Sequence, residues 1–350
     1  MNRLDYIDAL RGIAALLVVF QHLFVPLLGE YWVLEHLIDP GKLGVLWFFM
    51  ISGFVIPFSL KHQPSAVRRF LVSRFFRLYP AYWLSLLLFL AATRITGQPI
   101  PGWPHIVANL TMVQTVLGIP DVIGLYWTLF IELGFYALCL MLFIAGLLHS
   151  VTVRFGCAVT MLVLALAMGV ARGWLDQKLP VAFPLALSLM FFGSLWRDTL
   201  LTLSSRASRR PIVMLLLAYA VLLPPTFIAG YSTDMGNGET WTRYLFTYAL
   251  AFLTFLLLTT RIRLESYWLV WLGTISYSVY LLHPSIALLA DWLGRQPFFA
   301  LPPLGLALAA TLATLLLAHL CFQHIERPFI GLGRKLSIPA QLPPAQKLEL

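Results

Sequence analysis

Charge is what this chain has least of. Of its 350 residues only 11% are Asp, Glu, Lys or Arg, under half the usual share of about 25% in a soluble domain. A water-facing surface around one core cannot be built from that composition. It excludes a soluble enzyme, a disordered chain and a coiled coil. Cysteine is also scarce. Cys139, Cys157 and Cys321 lie far apart in apolar stretches, with neither disulfide framework nor metal-ligand spacing, and read as small core residues. What is present instead is apolar: 60% of residues are hydrophobic and 14% aromatic, with a mean hydropathy of +0.83. An all-α polytopic integral membrane protein is the class that remains.

Apolar runs long enough to span, at about 20 residues each, fall near 7–28, 43–60, 80–96, 125–148, 154–173, 179–197, 211–231, 243–260, 267–290 and 300–322. The first is too long for the apolar core of a signal peptide and contains Arg11, so it reads as an uncleaved first helix. Ten crossings sort the basic residues: 18 of the 24 fall on the side of the termini, and Lys42, Arg94, Arg172, Lys178, Arg243 and Arg295 on the other. That bias predicts both termini in the cytoplasm. Residues 1–335 then form one transmembrane domain and 336–350 a short cytoplasmic tail. Residues 61–79 interleave Arg68, Arg69, Arg74 and Arg77 with Phe70, Leu71, Phe75 and Phe76, which predicts a basic amphipathic helix on the inner interface. Residues 97–124 make the longest outer loop, placed to cover a site from outside. It contains a glycosylation sequon at Asn109-Leu-Thr111.

Ionisable groups in hydrocarbon are costly and read first as functional. Arg11 and His22, eleven residues apart, differ by about 20° around a helix and about 16 Å along it, so they share one face. Gly12, Ala15 and Val19 leave room there for another helix or a ligand. Glu132 enters from the outer side and needs a partner, with His22 at a compatible depth. His283, in the outer half of its span, lies near the same depth. His319 sits near the inner end of the last span, where the interface can hydrate it. Arg74 and Arg77, three apart, are neighbours on one helical face. Two guanidiniums there can grip phosphates bidentately; by physics alone, anionic lipid headgroups are the plainer ligand.

Taken in order, the motifs resemble acyltransferase family 3, membrane-bound acyltransferases of cell-surface carbohydrates. The resemblance rests on Leu4-Asp5-Tyr6-Ile7-Asp8-Ala9-Leu10-Arg11-Gly12 leading to His22, Phe48-Phe49-Met50-Ile51-Ser52-Gly53-Phe54-Val55-Ile56, and Arg74-Phe75-Phe76-Arg77-Leu78-Tyr79-Pro80. Trp127-Thr128-Leu129 with Glu132 and Phe135-Tyr136 follows, then Tyr277-Ser278-Val279-Tyr280-Leu281-Leu282-His283-Pro284 and Ile325-Glu326-Arg327-Pro328-Phe329.

The resemblance implies a bacterial cytoplasmic (inner) membrane, an acyl-CoA donor, most often acetyl-CoA, and a sugar or glycolipid hydroxyl as acceptor. Arg74 and Arg77 would hold the donor nucleotide. His22 would be general base or carry a covalent acyl intermediate, with Arg11 orienting its surroundings or countering donor charge, Glu132 fixing its tautomer or stabilising its imidazolium, and His283 on acceptor or thioester. A proton-coupled transporter would use the same buried groups as a relay, and is the competing expectation.

Overall fold

The computed structural model describes residues 4–337 apart from 30, 202–205, 234, 236–239 and 298–300, with 206–208 described by backbone alone. Most of the expected tail, 338–350, therefore lies outside the described residues.

Within the described residues every regular element is helical: α1 (Asp5–Leu23), α2 (Trp32–His36), α3 (Pro40–Val55), α4 (Ala66–Ile95), α5 (Trp103–Asn109), α6 (Trp127–Ile144), α7 (Val151–Leu175), α8 (Ala182–Leu201), α9 (Arg206–Tyr231), α10 (Trp241–Thr260), α11 (Tyr267–Gly294), α12 (Pro303–Cys321) and α13 (Arg327–Ser337). A π-helical turn, Phe322–Glu326, joins the last two. Unbroken apolar runs dictate the long helices, and local chemistry sets their starts. The Asp39 carboxylate accepts from the Lys42 amide (2.8 Å) at the head of α3, and the Ser150 hydroxyl accepts from the Val153 amide (3.4 Å) at the head of α7. Such caps satisfy amides that a helix start leaves without partners.

All ten expected spans fall on long helices. Among the described residues, nine helices are long and apolar enough to cross a bilayer. The exception is α8, whose last turns carry Trp196, Arg197, Asp198 and Thr199. It is largely enclosed, burying 13 of its 20 residues between α3 and α7. Close approach there requires glycine. A Cβ on Gly53 of α3 would lie 1.7 Å from the Met190 carbonyl, and one on Gly193 of α8 would lie 2.0 Å from that of Met50. Likewise α11 occupies the room left by Gly12, with Gly273 against the Asp8 carbonyl. On the outside the pattern inverts: Leu87, Leu217, Val221, Leu253 and Leu312 stand exposed. An apolar exterior around a polar-lined interior suits lipid as solvent.

Two expectations are corrected. The basic stretch is not a separate interfacial helix. It is the first half of α4, one thirty-residue helix that runs through Pro80 into the third span. Nor does 97–124 stay outside. It folds back along α4, where Trp83 Nε1 donates to the Leu110 carbonyl (3.0 Å) and Tyr79 Oη to that of Thr111 (2.9 Å). Tyr79 lies sixteen residues before Ile95, about 24 Å at 1.5 Å per residue. Irregular backbone packed along a helix needs hydrogen-bond partners of its own, and Asn109 supplies them. Its Nδ2 donates to the carbonyls of His105 (2.8 Å) and Pro120 (3.1 Å), and its Oδ1 accepts from the Val122 amide (3.0 Å). Fully buried, that side chain is no glycan acceptor in the folded protein.

Candidate active site

Four guanidiniums converge on one cavity of about 470 Å³: Arg11 from α1, Arg74 and Arg77 from α4, and Arg197 from α8. Two carboxylates, Asp8 and Glu132, share it. Cations outnumber anions four to two, so the cavity favours an anionic ligand.

Each side chain is set by its helix. Asp8 and Arg11, three apart on α1, pair at 3.1 Å. Arg11 also lies within electrostatic reach of Arg77 and Glu132. Arg74 Nη2 donates to Ser59 Oγ (3.1 Å), and its guanidinium packs over the rings of Phe70 and Tyr136, 5.4 and 5.3 Å from their centroids. Interleaved aromatics thus turn the arginine face of α4 toward α6 rather than toward lipid. Arg197 is buried; its Nη1 donates to the Phe54 carbonyl (2.8 Å) and its guanidinium lies 4.3 Å over the Phe58 ring.

The far wall is aromatic. Phe48 and Tyr280 meet edge-on, centroids 5.7 Å apart, and the Tyr280 hydroxyl hydrogen-bonds Thr128 Oγ1 (2.8 Å). All three line the cavity. Past that wall lie the two histidines, with ring centroids 5.1 Å apart and Tyr280 6.2 Å from His283. His22 Nδ1 donates to the Val18 carbonyl (2.9 Å) and His283 Nδ1 to that of Val279 (3.2 Å). A carbonyl only accepts, so both Nδ1 atoms carry a proton, and in the neutral ring it is Nε2 that carries the lone pair. His283 is 0% exposed and its Nε2 has no partner, whereas His22 is open on one side.

The structure therefore brings Arg11, Arg74, Arg77 and Glu132 into one chamber and His22 and His283 into a pair beyond it. It does not join Glu132 to His22. Glu132 Oε1 accepts from the Tyr136 hydroxyl (2.5 Å), because one turn along α6 places that phenol beside it. His319 packs near the Trp271 ring (5.8 Å), away from both. Two groups escaped the sequence reading. Arg197 enters the sequence reading only as one of the 18 basic residues on the side of the termini, and the signal for more is the apolar run leading directly into it. Tyr280 enters it only as a member of the motif that ends in His283-Pro284.

MdmB, an acyltransferase of Streptomyces mycarofaciens, is 31% identical over 146 residues, 38% of this chain and 38% of that protein. The match thus spans well under half of that relative. No solved structure matches. A family profile described as an acyltransferase domain, that of acyltransferase family 3, covers residues 4–322 and with them every residue of the chamber, its wall and the histidine pair, so the chain belongs to that family.

Proposed function

We propose that this acyltransferase moves an acyl group, acetyl in the first instance, from acyl-CoA onto a hydroxyl of a surface or exported sugar or glycolipid. The observation that carries the reading is the arginine chamber ending one aromatic ring short of the His22–His283 pair. The phosphates of coenzyme A suit Arg74, Arg77 and Arg197, since guanidiniums grip phosphate oxygens in pairs. The pantetheine arm runs past Arg11, and the thioester reaches the histidines when the Phe48–Tyr280 edge parts.

His22 then acts as general base. Its Nε2 lone pair takes the acceptor proton as the hydroxyl oxygen attacks the thioester carbonyl. The new C–O bond forms, the C–S bond breaks, and coenzyme A leaves as thiolate to be reprotonated. Such proton transfer contributes typically about 10²–10⁴-fold. His283, fully buried beside His22, orients the acceptor or the carbonyl. Glu132 and Asp8 offset the crowded guanidiniums. The chamber opens at the end of the molecule where α1 begins; with the basic residues on the cytoplasmic side of a bacterial inner membrane, that end meets the donor.

The test is purified full-length protein with radiolabelled acetyl-CoA. Acyl release or transfer that disappears in His22→Ala supports the reading. Proton-coupled flux without acyl turnover replaces it with transport.

A further inference from the structure

The last two helices form one rod interrupted at Phe322–Glu326 by the π-helical turn. A π turn inserts a residue at the cost of regular helical hydrogen bonds and recurs at functional sites. Here the interruption turns Glu326 inward, where it is 3% exposed. The Ser278 hydroxyl donates to its Oε1. Ser278 adjoins Tyr277, a chamber residue whose hydroxyl donates to the Leu78 carbonyl (2.9 Å). One residue before Leu78 is Arg77, within electrostatic reach of Glu326. The same turn of α4 is pressed by α13: a Cβ on Gly333 would lie 2.8 Å from Phe76 Cβ, and the Phe76 and Phe329 rings stack at 6.3 Å.

Arg77 faces a like charge across the chamber, since Arg11 feels it as a neighbouring cation. Without a counter-charge behind it, Arg77 gains by swinging away from Arg11. We propose that Glu326 is a positioning residue: its carboxylate, turned inward by the π-helical turn and fixed by Ser278, holds the Arg77 guanidinium in the anion-binding chamber. The inference rests on the donor-site reading above and extends it to a residue of the closing helix that touches no ligand.

The experiment is a double-mutant cycle on the full-length protein in detergent, with free coenzyme A as the titrated probe and acetyl-CoA turnover as the second readout. Glu326→Gln keeps the shape and the oxygen that accepts from Ser278, and removes the charge. Kd for coenzyme A and KM for acetyl-CoA should rise about tenfold, with kcat within about twofold. In an Arg77→Gln background the same change should add nothing. Glu326→Asp, which keeps the charge but draws it back, should give a smaller rise that also vanishes without Arg77; it decides the matter if Glu326→Gln does not fold. Unchanged Kd and KM, or an equal rise with and without Arg77, would leave Glu326 a packing residue and overturn the inference. A wild-type protein that does not bind coenzyme A overturns the donor-site reading and this inference with it.

Discussion

His22 has its Nδ1 proton committed to the Val18 carbonyl, which leaves Nε2 free to accept. His22→Ala should therefore lower acyl turnover by about 10²-fold or more in protein that still elutes as a single folded species; wild-type rates of labelled acetyl release would remove it from the chemistry. Arg197→Ala removes a guanidinium that lines the chamber. Losing a charge-assisted hydrogen bond costs about 1.5–3 kcal/mol, so KM for acetyl-CoA should rise about ten- to a hundredfold while kcat stays near wild type. An unchanged KM would reduce Arg197 to a brace for Phe54 and Phe58. That Arg11 and His22 share a face was legible, because eleven residues return a helix almost to its starting angle. The partner of Glu132 was not. It depends on the rotation of α6 about its axis, and spacing along one helix says nothing of what another presents. Arg197 was hidden for a related reason: burial of a helix end is decided by neighbours contributed from far along the chain.

At the scale of elements, hydropathy located all ten long helices, since lipid and protein interior both demand apolar side chains. It does not separate an inner-surface helix from the beginning of a span, so the sequence divides α4, a single helix, in two. The return of 97–124 along α4 was equally invisible, because prolines and polar residues mark irregular backbone without saying what it packs against. Asn109 carries that segment through three hydrogen bonds. Asn109→Ala removes the side-chain partner of the Pro120 carbonyl and the Val122 amide, at about 1 kcal/mol for each lost hydrogen bond, and should lower the thermal unfolding temperature in detergent by several degrees. An unaltered melting curve would mean that the loop is held by other contacts. Gly53→Val should be more severe. Its Cβ would meet the Met190 carbonyl at 1.7 Å, an overlap only backbone movement can relieve, so α3 and α8 must separate. We expect loss of folded protein on size-exclusion chromatography, whereas Gly124→Ala, at a position with nothing within 4 Å, should behave as wild type.

Across the whole molecule, basic residues outnumber acidic ones, 24 against 15, and the proposed topology puts most of them on the side of the termini. With both termini proposed on the cytoplasmic side, a cysteine at Arg295, a well-exposed position, in a background without Cys139, Cys157 and Cys321 should react with a membrane-impermeant maleimide added outside intact cells. One at Lys61 should react only after the membrane is opened. The reverse pattern would invert the topology and place the chamber beyond the reach of a cytoplasmic donor. The position of α8 has a consequence for how such a chain is made. A segment that ends in Arg197-Asp198 is a poor candidate to leave the translocation channel alone, because charged residues partition weakly into hydrocarbon. Its neighbour α7 emerges first and packs along it, and Arg154 of α7 pairs with Asp198 at 2.5 Å. The two are thus suited to enter lipid together as a hairpin whose opposite charges travel inward as a couple. A helix largely enclosed in the finished protein would then owe its insertion to the one synthesised just before it.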